Sequence, residues 1–278
     1  MIFITDFENK LNFDKYNVDG FIVNSKEFST YNGNTFSIND IIDILKSVKE
    51  NNKFAFLNLD KLIEEDELDS LREYINKVSG YYDYIIFSDF AFMNLGIDRS
   101  KMIYDPKTLV SSSNEANFFN NIGIKSFLAN ELSIDEYQKI SEKCEVNMTV
   151  FGHILMMYSR RPLFRLYKEF SGINDDVLFK RLDLKEELRE ELYPGFESNH
   201  GSFIYTDYIY NSYNKYLLLK NKMNIVRFNH LFIESEEMIE VINGFKEENL
   251  NSKYLDNKKY KEGFLNKGSI LLKEAKDE

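Results

Sequence analysis

The sequence predicts an α/β protein folded as a (β/α)8 TIM-like barrel, and three observations carry that prediction. Eight short β-rich runs recur along the chain, amphipathic helical stretches separate them, and no Gly-rich phosphate loop marks the doubly wound alternative. The runs are 2–5, 20–24, 53–59, 83–88, 101–104, 124–128, 146–151 and 224–229. Most are continuously apolar, as parallel strands covered on both faces must be.

The intervening segments read as helices in turn. "SINDIIDILKSVKEN" opens on Ser37, a capping residue, and sets Ile38, Ile41, Ile42 and Leu45 on one face. "EEDELDSLREYINKV", "SSNEANFFNNI" and "LSIDEYQKISEK" repeat the pattern, and "SEEMIEVINGFKEE" supplies the helix after the eighth run. The seventh unit is irregular. An insertion separates its strand from a helix at roughly 207–221, and "VLFKRLDL" and "GSFIYT" within it read as antiparallel strands. The expected organisation is a single domain over 1–278 with an inserted β element at about 172–206.

Composition narrows the function. A formal net charge of -11 argues against a surface coated in positive charge for nonspecific nucleic-acid binding, while leaving room for a local basic site. One cysteine, Cys144, excludes an internal disulfide and any cysteine-built metal cluster within one chain. At the end of the helix before strand seven, it reads as a packing residue. The apolar start "MIFITDFENK" is broken by Asp6 and Glu8, too early for a signal peptide, and no run is long enough to span a membrane. The expected location is therefore the cytoplasm.

Against this acidic background, "GHILMMYSRRPLFRLYK" holds no carboxylate from Gly152 to Lys168. Under the barrel prediction it begins the loop after strand seven, on the face where barrels place their sites. Arg160 and Arg161 offer planar forks for a phosphate or carboxylate, or else pair with surface carboxylates. Ser159 lacks a GxSxG setting and is a nucleophile only if a base lies beside it. His153, His200 and His230 all fall near the same face, without HExxH or comparable spacing, so no metal site is expected. Asp89 and Asp105 follow strands four and five, as general bases or as helix caps.

At "YSRRPLF" the chain resembles the collagenase-like proteases of peptidase family U32, and within them the short cysteine-less partner of the tRNA wobble-uridine hydroxylation pair. The resemblance runs through "VDGFIVNSKEFSTYNGNTFSINDI", "LANELSIDEYQKI", "FGHILMMYSRRPL", "LYPGFESNHGSFIYT" and "GFLNKGSILLKE". Gly152, Tyr158, Ser159 and Arg161 match the family signature, whereas its cysteine positions hold Leu155 and Pro162. The chain also departs from the family at Asn147, Asn130 and Asn229.

The resemblance implies a barrel-like fold, no iron–sulfur cluster or other cofactor, and a cysteine-bearing family paralogue as partner. It implies tRNA or a small carboxylate donor as ligand, bound by Arg161, Arg160, Tyr158, Gly152, Glu197 and Arg227. His153, His200 and Ser159 are the catalytic candidates. The competing readings are a hydrolase, as the family name suggests, and a barrel that only binds RNA or protein.

Overall fold

In the computed structural model, which describes residues 1–10, 13–172, 176–255 and 258–267, each of the eight predicted runs contains a strand. The first part of the chain forms β1 (Ile2–Asp6), β2 (Gly20–Asn24), α1 (Ile38–Glu50), β3 (Phe54–Leu59), α2 (Leu68–Val78), β4 (Tyr84–Phe87) and β5 (Met102–Tyr104). It continues through α3 (Ser113–Asn121), β6 (Lys125–Ser126), α4 (Ile134–Ser141) and β7 (Val146–Gly152). The inserted region follows as β8 (Leu155–Ser159), α5 (Leu163–Ser171), β9 (Arg181–Lys185), β10 (Leu192–Ser198) and β11 (Gly201–Tyr205). The chain then forms β12 (Ile209–Asn211), α6 (Tyr213–Leu219), β13 (Met223–Phe228), α7 (Ser235–Lys246) and β14 (Tyr260–Lys261).

The parallel strands lie in the order β7-β13-β1-β2-β3-β4-β5-β6, with β12 and β14 added beyond β7. The sheet curls, because Ile4, Ile22, Phe56, Ile86, Ile103, Phe127 and Ile225 from around it meet in one apolar cluster. The ladder does not close as a full (β/α)8 barrel requires. β6 is only two residues long and offers β7 almost no edge. Two hydrogen bonds span the seam: Leu128 N–H to Asn147 O at 2.9 Å and Asn147 Nδ2 to Ser126 O at 2.8 Å. Asn147 Oδ1 also accepts from Ile225 N–H at 3.0 Å, so this side chain needs both a donor and an acceptor, which a carboxylate lacks.

The helices cover the outside. Ser37 caps α1 by accepting from Asp40 N–H, and Ile41, Ile44, Leu45 and Val48 are buried. Ser112 with Glu115, and Ser133 with Glu136, form capping boxes on α3 and α4. The expectation of a helix after every strand fails twice among the described residues, since β1 and β4 are followed only by short 3-10 turns. Asp89 caps one of those turns, accepting from Ala91 N–H at 2.8 Å and from Ile63 N–H at 2.9 Å. Both its oxygens hold backbone, so Asp89 takes the capping role. No helix among the described residues is long and apolar enough to cross a membrane.

The inserted strands form their own antiparallel sheet in the order β8-β11-β10-β9. Its first strand comes from the basic segment itself, upstream of residues 172–206, where the sequence suggested a loop. The half-buried run Leu155–Ser159 has no clear alternation to announce it. Phe203, Tyr205, Leu155 and Tyr158 of this sheet pack with Tyr31, Leu231 and Phe232 over the ends of the parallel strands. Residues 268–274 of the last family-like stretch lie outside the described residues.

Gly152 joins the two sheets with φ of 121°, and a Cβ there would lie 2.3 Å from Asn229 O. Both the backbone angle and the contact exclude a side chain. Gly152→Ala should therefore cost about 1–3 kcal/mol in chemical denaturation. A loss below about 0.5 kcal/mol would show that the junction relaxes freely.

Candidate functional site

The site follows from the two-residue period of a strand. One step toward the C-terminal end from the apolar layer, Ile4 is succeeded by Asp6, Ile22 by Asn24, Phe56 by Asn58, Ile103 by Asp105 and Ile225 by Arg227, all of them buried. A polar layer thus lies directly above the apolar one. Its members pair with each other, Asn58 Nδ2 donating to Asn24 Oδ1 at 2.8 Å and Asn24 Nδ2 to Asp6 Oδ1 at 3.2 Å.

Arg227 lies at the centre, with Nη1 2.9 Å from Asp105 Oδ2 and Nη2 3.8 Å from Asp6 Oδ1. Lys107 reaches Asp105 Oδ2 at 2.5 Å and Asp60 Oδ2 at 3.3 Å. Asp60 also accepts from Thr30 N–H at 2.7 Å. Burial alone would raise the Asp60 carboxyl, but Lys107, the Thr30 amide and Arg227 outweigh it and hold it below its ordinary value. Burial works against the charged Arg227 as well, and Asp6 and Asp105 reverse that effect. The Arg227 Nε–H is buried with no hydrogen-bond partner among the described residues.

Arg227, Asp105, Lys107, Asp60 and Thr30 border a cavity of about 60 Å³, roofed by Leu155, Phe203 and Tyr205 of the inserted sheet. Its size suits a carboxylate-sized group or a few waters. His153 also borders it. The ring Nδ1 lies 2.9 Å from Thr206 O, so it must carry the hydrogen, leaving Nε2 as an acceptor. Burial lowers the His153 pKa and favours this neutral form.

A proton-active group stands next to the chamber. Glu8 accepts from Tyr31 O–H at 3.0 Å and from Asn34 Nδ2 at 2.5 Å, and Tyr31 borders the cavity. Burial first, and the Asp6 charge second, raise Glu8 from 4.5 to about 7. His230 Nδ1 lies 3.9 Å from Glu8, its Nε2 is 2.8 Å from Tyr16 Oη, and burial pushes its pKa down.

Of the residues singled out in the sequence, Arg227, His153 and Asp105 meet at the chamber, and Gly152 lets Asn229 approach beside them. Asn130 and Leu155 line it as well, whereas Arg160, Arg161, Tyr158, Ser159, His200, His230 and Glu197 lie elsewhere. Arg160 pairs with Glu64, the surface pairing weighed against anion binding. Arg161 is exposed, and its guanidinium has no partner among the described residues. Tyr158 is stacked on Phe203 at 5.0 Å and donates to His200 O. Ser159 Oγ accepts from Arg161 N–H, while each histidine bonds to another partner, so no nucleophile–base pair forms. His200 Nε2 sits 3.2 Å from Lys26 O, outside the chamber lining.

Glu197, fully buried, takes bonds from Phe164 N–H, Ser202 O–H and Arg165 Nε–H. It holds the start of α5, because Pro162 leaves that helix without a side-chain cap. Sequence reasoning missed Asp6, Asp60, Lys107, Tyr31 and Glu8 as members of the site. The signal was available: an apolar residue followed two positions later by a polar one, at the end of strand after strand.

A curled parallel sheet with a buried ionic chamber at its C-terminal ends, roofed by a small antiparallel sheet, defines an α/β protein with a mouth-centred site. The chain belongs to peptidase family U32, whose model, described as "Peptidase family U32", matches residues 6–176. That match contains Asp6, Asp60, Asp105, Lys107 and His153 but stops before Glu197 and Arg227. Among solved structures the chain is similar to the U32 peptidase Mk0906, at 15% identity and a TM-score of 0.51, over 82% of this chain and 92% of that one. A chitinase from Chromobacterium violaceum aligns at 8% identity and a TM-score of 0.37, over 88% of this chain and 99% of that one. No curated protein matches the sequence.

Proposed function

We propose that this chain is a cofactor-free, cytoplasmic subunit in tRNA wobble-uridine hydroxylation, acting beside a cysteine-bearing paralogue of its family. In this reading the curled sheet works as a closed (β/α)8 barrel in one domain, its β6–β7 seam sealed by Asn147 and roofed by the inserted sheet. The observation that carries the proposal is the chamber of about 60 Å³ around Arg227, whose buried Nε–H has no partner among the described residues. Such a chamber fits the anionic group of a small donor. A serine peptidase needs a nucleophile beside its base, and Ser159 has no such base. Leu155 and Pro162 carry no ligating atom in place of the family's cysteines.

Division of labour follows from exposure. Arg227 and Lys107 hold the small anion, His153 Nε2 accepts a hydrogen bond inside the chamber, and Arg161 at the surface meets an RNA phosphate. Arg161→Lys keeps the charge but removes the planar fork. With the paralogue present, tRNA affinity at two salt concentrations and 5-hydroxyuridine formation should both fall in this variant, by about three- to tenfold. Equal binding and turnover in the two proteins would remove Arg161 from the site. Peptide cleavage without tRNA turnover would favour the hydrolase, and tRNA binding without any turnover would favour a binding-only barrel.

A further inference from the structure

A second hollow lies beside the chamber. Phe90, Tyr104 and Phe119 form a stack: Tyr104 is 4.5 Å from Phe119 and 5.2 Å from Phe90, and Phe90 and Phe119 lie within 12° of parallel. Phe118 stands edge-on to Phe119 at 5.3 Å. Core aromatics in such a stack are normally covered, yet Phe90 is 54% and Phe118 57% exposed. Between them opens a hollow of about 500 Å³. The geometry is held from below, since Asp89 caps the turn that carries Phe90 and the Ser112–Glu115 capping box starts the helix that carries Phe118.

This hollow is linked to the chamber through shared walls. A middle section of about 210 Å³ shares Tyr104 and Leu109 with the hollow, and Asp60 and Lys107 with the chamber. Lys107 supplies a cation to that section's wall, and Leu62 and Tyr158 border it, two residues from Glu64 and Arg160, which pair with each other. Planar apolar faces at one end, Lys107 between, and at the other Arg227, whose buried Nε–H has no partner among the described residues, describe one ligand chemistry. It is a planar ring joined to a negatively charged chain.

We infer that the Phe90–Phe118 hollow is a stacking site for an unpaired nucleobase of single-stranded RNA, with the attached sugar-phosphate lying along the groove toward Lys107. The inference rests on the tRNA reading above and deepens it by locating the base. Base–aromatic stacking is tolerant of base identity because every base has a flat π face, so the site holds a base without reading it. Glu115, on the hollow's wall, is occupied by bonds from the Ser111 and Ser112 amides. Asn114 beside it is the group placed to touch a base edge. Tyr158, a ligand-binding residue implied by the family resemblance, already has one face covered by Phe203.

The test uses Phe118→Ala and Phe90→Ala, both exposed enough to leave the fold intact. Binding is measured for uridine 5′-monophosphate by saturation-transfer NMR and for a single-stranded anticodon-loop oligonucleotide by anisotropy, with Arg161→Lys in parallel. Each Phe variant should bind both probes about tenfold more weakly. Unchanged binding of both probes in both variants overturns the inference. Loss of paralogue binding with nucleotide binding retained overturns it too, assigning the hollow to a protein partner. If the oligonucleotide depends on Arg161 but not on either Phe, the stacking site falls and the tRNA reading stands. If uridine 5′-monophosphate binds through Phe118 while tRNA does not bind at all, the stacking site stands and the tRNA reading falls.

Discussion

Arg227→Met lowers stability at pH 7 by about 3–5 kcal/mol in urea denaturation. Among the described residues Arg227 is the only cation paired with Asp6, and it shares Asp105 with Lys107. Removing it leaves buried carboxylates with one ammonium among them, and uncompensated buried charge is the costly case. Methionine fills most of the space, so the loss reports charge more than cavity. The pH dependence separates the two. Asp60 is held below its ordinary 3.8 in the folded state, a shift whose stability is present above that value and lost as pH falls through the folded pKa. Arg227 contributes to that shift after Lys107 and the Thr30 amide. The deficit of Arg227→Met should therefore shrink below about pH 4, as Asp60 takes up a proton. A deficit that stays constant down to pH 3 would mean that lost packing, rather than charge, explains it.

Glu8→Gln should have the opposite sign. Unfolded Glu8 ionises at its ordinary 4.5, whereas the folded group ionises only near 7. Between those values the unfolded chain has lost a proton that the folded protein keeps, so the wild type loses stability as pH rises, by about 3 kcal/mol in all. Glutamine has no proton to lose. Its Oε1 still accepts from Tyr31 O–H, and the cost is the exposed bond from Asn34. The side chain is only 17% exposed, so solvent screening is limited. Urea denaturation at pH 4.5 and pH 8 should show no difference between the proteins at the first and a variant about 3 kcal/mol more stable at the second. Parallel pH profiles would refute a raised Glu8. If the profiles diverge, Glu8 is half-protonated at neutral pH, suited to exchange a proton with a ligand through Tyr31.

The parallel strands were legible because burial on both faces forces continuous apolar runs, as in "GFIVN" and "VNMTVF". The caps at Ser37, Ser112 and Ser133 were legible because the bond they make is local. Arg227 drew notice only through a family resemblance. Nothing within six residues of it names Asp105 as its partner, because that contact spans 122 positions of chain. Ser159 and the Arg160–Arg161 pair stood out as a motif, yet a motif does not say which way a side chain points. The structure turns Ser159 toward its own loop and Arg160 toward Glu64.

By itself the sequence determined the alternation of strands and helices, the helix caps, the missing thiols at Leu155 and Pro162, and the placement of the basic segment after strand seven. Those properties depend on neighbours a few residues apart, so periodicity and residue type suffice. Tertiary structure alone decided that β6 is too short to ladder with β7, that the basic segment supplies a strand of the roof, and that Asp60, Asp105, Lys107 and Arg227 share one chamber with Asp6 beside Arg227. Those outcomes depend on how far the sheet curls, which sums small twists over every strand and brings together charges that no local window contains.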